Sequence, residues 1–225
     1  MIEELGPGIW TLAAPLKLAG VDFGTRMTIV RIGGDGLVLI SPCPIDDALA
    51  AEIQALGQVR AVIAPNAFHY LYFVDATERY PDAGRYLAEG VAKKLRSAPA
   101  GAVTLSAEAD PLWKADLEQC KLEGAPKTNE VVFFHPASQT LILTDLCFNF
   151  NPAPSGWPGI FLRIVGAHGR LAVSRLMRTL LKDRKKVRPI IERILEWDFE
   201  QIVVTHGAIV MRNGRRLFRE ATGDL

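Results

Sequence analysis

The sequence is poor in cysteine, with three in 225 residues (Cys43, Cys120 and Cys147) and no Cys-x-x-Cys spacing. A scattered, odd-numbered set builds neither a disulfide framework nor a zinc ribbon. Long apolar runs are missing as well. None approaches the roughly 20 residues that a membrane span requires, so no membrane association is expected. The start, Met1-Ile2-Glu3-Glu4, has neither a basic nor an apolar segment, and no secretory leader is expected. The simplest compartment is cytoplasmic, with reduced thiols. Excess charge is also absent. Lys and Arg total 26 against 25 Asp and Glu, a formal net charge of +1, which sets up no global field for nucleic acid. The one local exception, Lys182-Asp183-Arg184-Lys185-Lys186-Val187-Arg188, reads as a solvated helix face. No Gly-x-Gly-x-x-Gly follows a strand pattern and no P-loop motif occurs, so dinucleotide and phosphate-loop readings lose their signature.

What the chain has is ordinary globular material, 49% hydrophobic and 23% charged. A length of 225 residues suits one domain over 1–225 and is enough to bury a core without disulfides or structural metal. Gly8-Ile9-Trp10-Thr11-Leu12 reads as a first strand. Thr28-Ile29-Val30-Arg31-Ile32 and Leu37-Val38-Leu39-Ile40 flank the turn Gly33-Gly34-Asp35-Gly36 as a hairpin. Residues 45–56 carry helical spacing, with Asp46 and Asp47 suited to the helix start. Val59-Arg60-Ala61-Val62-Ile63-Ala64 is a buried strand, and residues 84–95 are expected to form a helix. A second hairpin joins Glu130-Val131-Val132-Phe133-Phe134-His135 to Thr140-Leu141-Ile142-Leu143-Thr144-Asp145. Residues 149–159 read as a loop, with Trp157 and Phe161 as candidates for a lid over a crevice or for core. Residues 171–181 and 187–195 read as helices, and Gln201-Ile202-Val203-Val204-Thr205 as a last buried strand. Trp10, Val38, Ile40, Val62, Ile142, Val203 and Val204 are the expected core. Strand-rich halves with helices between them point to two sheets covered by helices.

Three polar residues stand just beyond buried strands: His69, Asp145 and His206. Strand ends are where layered α/β folds place ligands. Two imidazoles and one carboxylate can form a facial metal set; each can equally be a hydrogen-bonded cap of its strand, and spacing alone favours the caps. Cys43 and Cys147 read as small buried apolar groups. His168 reads as a loop residue.

Trp10 after an N-terminal Gly, the Gly34-to-Ile40 hairpin strand, the run from Ala61 to His69, Leu143-Thr144-Asp145, and Val203-Val204-Thr205-His206-Gly207 occur in an order that resembles the metallo-β-lactamase superfamily. The resemblance spans Gly8 to about Gly207 and is nearest to a branch known only as domain of unknown function 4336. It implies an α/β (α+β) four-layer αββα sandwich with two metal ions at the strand ends. The superfamily's His-x-His-x-Asp-His motif, aligned with His69 as its last histidine, sets Ala64, Asn66 and Phe68 at the other three ligand positions. Methyl and phenyl groups offer no lone pair, and an Asn carbonyl is a poor substitute for imidazole. Ser41 stands where an Asp follows the first hairpin. The middle histidine has no counterpart, since His135 lies inside a strand.

The resemblance therefore implies a remnant site of His69, Asp145 and His206, holding no cofactor or one divalent metal (zinc, iron or manganese). The metal-free arrangement is favoured, with Phe68 expected to block or dry the fourth position. The function this implies is a metallo-β-lactamase-like protein with a degenerate site, without dinuclear hydrolase activity, binding a small-molecule ligand in the old crevice. Two alternatives stay open: a mononuclear metal-dependent hydrolase or oxidoreductase using the same three residues, and a non-catalytic scaffold or homo-oligomer.

Overall fold

A computed structural model describes residues 1–18 and 21–225 of the chain. It opens with β1 (Glu3–Gly6) and β2 (Ile9–Ala14), a small ribbon of β3 (Lys17–Leu18) and β4 (Val21–Asp22), then β5 (Thr25–Ile32) and β6 (Gly36–Ile40). Helix α1 (Asp47–Leu56), β7 (Gln58–Ala64), α2 (Phe73–Arg79), β8 (Gly84–Leu87) and β9 (Val103–Thr104) follow. The second half holds β10 (Glu118–Lys121), β11 (Val131–His135), β12 (Thr140–Leu143), β13 (Phe148–Asn149), α3 (Gly156–Val165), β14 (Leu171–Ala172), α4 (Arg175–Leu180), α5 (Arg184–Ile194), β15 (Gln201–Val204) and α6 (Gly214–Thr222).

Two main sheets result. One runs β1-β2-β5-β6-β7-β8-β9 and the other β10-β11-β12-β15. The period-two alternation of strand side chains sorts each sheet's apolar residues onto two faces. Val38, Ile40, Ala61 and Ile63 from the first sheet meet Phe133, Ile142 and Val203 from the second, forming the layer between the sheets. The other face of the first sheet, with Leu37, Leu39 and Val62, packs on Leu49 and Ile53 of α1 and Phe73 of α2. The other face of the second sheet, with Leu141, Ile202 and Val204, packs on Val187 and Ile191 of α5 and Phe218 of α6. The layers thus run α, β, β, α. Every residue of the expected core is buried. The strands are apolar on both faces because both faces are covered.

Local chemistry explains the boundaries. Asp46 caps α1 by accepting from Leu49 N at 2.8 Å, as carboxylates do at helix starts. In α5 the basic run is exposed at Arg184, Lys185, Lys186 and Arg188 while Val187 is buried, the solvated face read from sequence. Residues 84–95 are not a helix. Gly84–Leu87 is a strand, set by parallel pairing of Gly84-Arg85-Tyr86-Leu87 with Ala61-Val62-Ile63-Ala64, a tertiary preference that overrides local spacing. The loop expected over 149–159 gives way at Gly156 to α3. The helix expected over 171–181 begins only after Ser174, whose hydroxyl accepts from Met177 N, because Leu171 and Ala172 pair with β13.

Candidate metal centre

Parallel pairing aims the chain's polar strand ends the same way. β6 and β7 are parallel in the first sheet, and β12 and β15 in the second. Just past their C-terminal ends stand Ser41, Asn66 with His69, Asp145 and His206. The structure brings the three sequence-predicted residues together. His69 Nε2 lies 3.3 Å from Asp145 Oδ2, and His206 Nε2 lies 3.5 Å from Asp145 Oδ1. One donor atom from each falls within 4.8 Å of the others, and the two imidazole rings are 5.1 Å apart.

Each imidazole is oriented from behind. His206 Nδ1 donates to the Gly24 carbonyl at 2.8 Å; a carbonyl only accepts, so Nδ1 carries the proton and Nε2 faces the cluster. His69 Nδ1 is bonded to Ser41 Oγ at 3.0 Å. Ser41 holds a left-handed backbone, φ 55°, which costs a non-glycine residue about 1 kcal/mol or more. Gly207 follows His206 at φ +100°, and a Cβ there would meet the Asn149 carbonyl oxygen at 2.2 Å, so only glycine lets the two segments pass. Arg26 reaches from β5 to donate to the carbonyls of Val204 and Gly207, on either side of His206.

The residues aligned with the other ligand positions do not join the cluster. Ala64 is fully buried in the apolar layer of α1 and α2. Asn66, also fully buried, donates through Nδ2 to Thr144 Oγ1 at 2.9 Å and Asp145 Oδ2 at 2.7 Å. Its Oδ1 accepts from Phe68 N and His69 N, both at 2.8 Å. Both donors and both lone pairs are thereby used, and none is left for a metal. Phe68 walls the pocket rather than filling a ligand position: it is 48% exposed, with Lys94 Nζ 4.6 Å from its ring centroid. That contact is favourable between a cation and a ring face. His135 is bonded to Ser138 Oγ at 2.7 Å, away from the cluster. His168 sits beside Phe150 in an isolated bridge. Cys43 and Cys147 are buried free thiols; burial pushes Cys43 up to about 11.

Sequence reading missed Glu130. Its carboxylate is fully buried and accepts from Thr144 N at 2.8 Å and Asp145 N at 3.0 Å, gripping the turn that carries Asp145. Burial, then the neighbouring Asp145 charge, raises it to about 7. An acid at the head of a strand as apolar as Val131-Val132-Phe133-Phe134 was the available signal. For Asp145, burial works upward, but the charge of His69 and hydrogen bonds from His206 and His69 outweigh it and hold the carboxyl far below its usual range. His206 is the converse. Burial works downward, and Asp145 with the Gly24 carbonyl overrides it to raise the imidazole.

The cluster forms the floor of a pocket of about 280 Å³, walled by Phe23, Phe68, Leu71, Tyr72 and Phe148. Phe148 stacks on His206 at 5.3 Å and 14°. Phe23 also meets Phe161 of α3 at 5.9 Å, so α3 packs against the pocket wall. A larger cavity of about 590 Å³ lies by α4 and α6. Arg178 there pairs with Asp224 and Arg175 with the Ile164 carbonyl.

The family described as Domain of unknown function (DUF4336) matches residues 7–156. No protein with a curated description matches. Among solved structures, a metallo-β-lactamase from Pontibacter korlensis matches at 15% identity and a TM-score of 0.68, over 99% of this chain and 97% of that one. The metallo-β-lactamase FIM-1 from Pseudomonas aeruginosa, in its mono-zinc form, matches at 16% and 0.65, over 99% and 93%. A metallo-β-lactamase from Hirschia baltica matches at 16% and 0.64, over 98% and 95%. At such identities the likeness is one of fold, and it bears out the four-layer sandwich.

Proposed function

The chain belongs to the DUF4336 family and has a metallo-β-lactamase-like fold, and from that premise we propose that it binds one divalent metal ion on His69, Asp145 and His206, at the floor of a small-molecule pocket. Zinc, iron and manganese all suit two imidazoles and a carboxylate. The conventional dinuclear hydrolytic centre is lost in this reading, because Ala64 and Asn66 supply nothing to a second ion.

One observation carries the proposal: the spacing of the three donor atoms. Ligands at roughly 2.0–2.1 Å from a tetrahedral ion stand about 3.3 Å apart. His69 Nε2 stands 3.3 Å from Asp145 Oδ2 and His206 Nε2 stands 3.5 Å from Asp145 Oδ1, and one donor atom from each residue lies within 4.8 Å of the others, a convergence that a small inward shift of the rings would close around one ion. The backing of each Nδ1 supports the same reading, since metal-bound imidazoles are held through their other nitrogen. Strand caps need no such convergence.

Such an ion would supply a Lewis acid at the pocket floor. The chain's own residues do the rest. Ser41 and Gly24 fix the two rings, Asn66 and Glu130 fix Asp145, and Phe23 and Phe148 wall the pocket above them.

The test is calorimetric titration of chelator-treated protein with zinc. One site is expected, lost in His69→Ala and in His206→Ala and kept in His168→Ala. Folded protein that takes up no zinc, manganese(II) or iron(II) would overturn the reading in favour of a hydrogen-bonded His-Asp-His cluster.

A further inference from the structure

The pocket's walls carry information that the metal reading does not use. Resting on the small-molecule part of that reading, but not on the metal, we propose that the ligand is an uncharged, largely apolar molecule with one oxygen or nitrogen head for the floor, and that a charge on its body excludes it.

Three observations point the same way. The walls are the rings of Phe23, Phe68, Tyr72 and Phe148 with the aliphatic groups of Leu16, Pro42 and Leu71, and the hydroxyls among the lining, on Thr25, Ser41 and Tyr72, are uncharged. Phe68 and Leu71 are 48% and 64% exposed, so the apolar surface continues to the rim. Second, no Lys or Arg lines the pocket among the described residues. The cation at the rim, Lys94, is already held: its Nζ donates to the Ala67 carbonyl at 2.6 Å and lies over the Phe68 ring. Third, the one acid of the lining, Asp145, faces two imidazoles and the Asn66 amide at the floor, which leaves it no reach toward a cation higher in the pocket.

The imidazoles and the carboxylate are therefore concentrated at one end. A ligand head can hydrogen-bond or ligate there, while the rest of the molecule meets rings, aliphatic groups and uncharged hydroxyls. An anion on the body would lose its water and find no partner, and a desolvated, unpaired charge is strongly disfavoured. At about 280 Å³, the space is near the lower end for small-molecule sites and suits a one- or two-ring body.

The probes are 2-naphthol and 6-hydroxy-2-naphthoate, which share a hydroxyl head and differ by a carboxylate at the far end. Each is titrated at neutral pH into chelator-treated and zinc-saturated protein, followed by probe fluorescence. The expected result is saturable 2-naphthol binding at one site, with the naphthoate weaker by at least about ten-fold. Leu71→Arg, at an exposed position of the wall, is expected to narrow the gap between the two probes several-fold by strengthening naphthoate binding. Equal or tighter naphthoate binding, no saturable 2-naphthol binding, or unaltered discrimination in Leu71→Arg would each overturn the inference. Discrimination that persists in a protein unable to bind zinc would sink the metal reading and leave this one standing; zinc binding without discrimination would do the reverse.

Discussion

The Asn66 side-chain amide donates to Asp145 Oδ2 at 2.7 Å while its own oxygen accepts from the backbone of Phe68 and His69. One buried amide thereby ties the ligand beyond a strand of one sheet to the loop that presents a ligand from the other. Asn66→Ala would strand two backbone N–H groups and free Asp145 from one side. Stability is expected to fall by about 1–3 kcal/mol, and zinc affinity by roughly 10–100-fold, as for other outer partners of metal ligands. Denaturant titration and calorimetry measure the two effects separately, and a neutral result in both contradicts the role given to Asn66.

The acid–base state of the metal-free protein gives a second expectation. Glu130 is raised from 4.5 to about 7, and His206 is raised above 6.5. A group raised in the folded state contributes stability that is fully present below its unfolded pKa and lost as pH rises through the folded one. Asp145 acts oppositely, but its pKa is lowered from 3.8, so its contribution is in place above that value and fades only in strong acid. His135, lowered from 6.5 by burial, works against Glu130 and His206 below that value, so the loss of stability in chelator-treated protein should show between about pH 6.5 and pH 8. Urea midpoints across that range, flattened in Glu130→Gln, would bear this out; midpoints that climb with pH would not.

Val203 lies between the sheets, 1% exposed, paired in parallel register with Ile142. Val203→Ala removes apolar burial and leaves a cavity, at a cost of about 1–3 kcal/mol. A denaturant midpoint unchanged from the parent would place β15 at the surface and the sandwich in doubt.

The strands of the inner layers were legible because covering both faces leaves a continuous apolar run, as in Leu37-Val38-Leu39-Ile40. The three site residues were legible because each follows such a run. What was not legible depends on distant partners. Gly84–Leu87 becomes a strand through β7, some twenty residues earlier, and not through its own spacing. The Gly24 carbonyl that orients His206 lies 182 residues away in sequence. Glu130 resembled a boundary charge until its two backbone donors were seen. Phe68 was expected to block or dry the fourth ligand position; its ring lines the same pocket as the three site residues and lies under Lys94, a partner that spacing could not supply.

The absence of donors at Ala64 and Asn66 bears on activity. Zinc-supplemented protein is expected to show no enzyme-like turnover of β-lactams, thioesters or phosphodiesters, because a second Lewis acid would be missing from the transition state. Spectrophotometric assays of the three substrate classes check this. Robust turnover that chelator removes would show that hydrolysis survives on this reduced ligand set.

The most direct measurement is metal stoichiometry. Untagged protein is saturated with zinc, freed of excess by gel filtration, and examined by native mass spectrometry and elemental analysis. The account predicts one zinc per chain, lost in His206→Ala. Two zinc ions per chain, or none in folded protein, would contradict it.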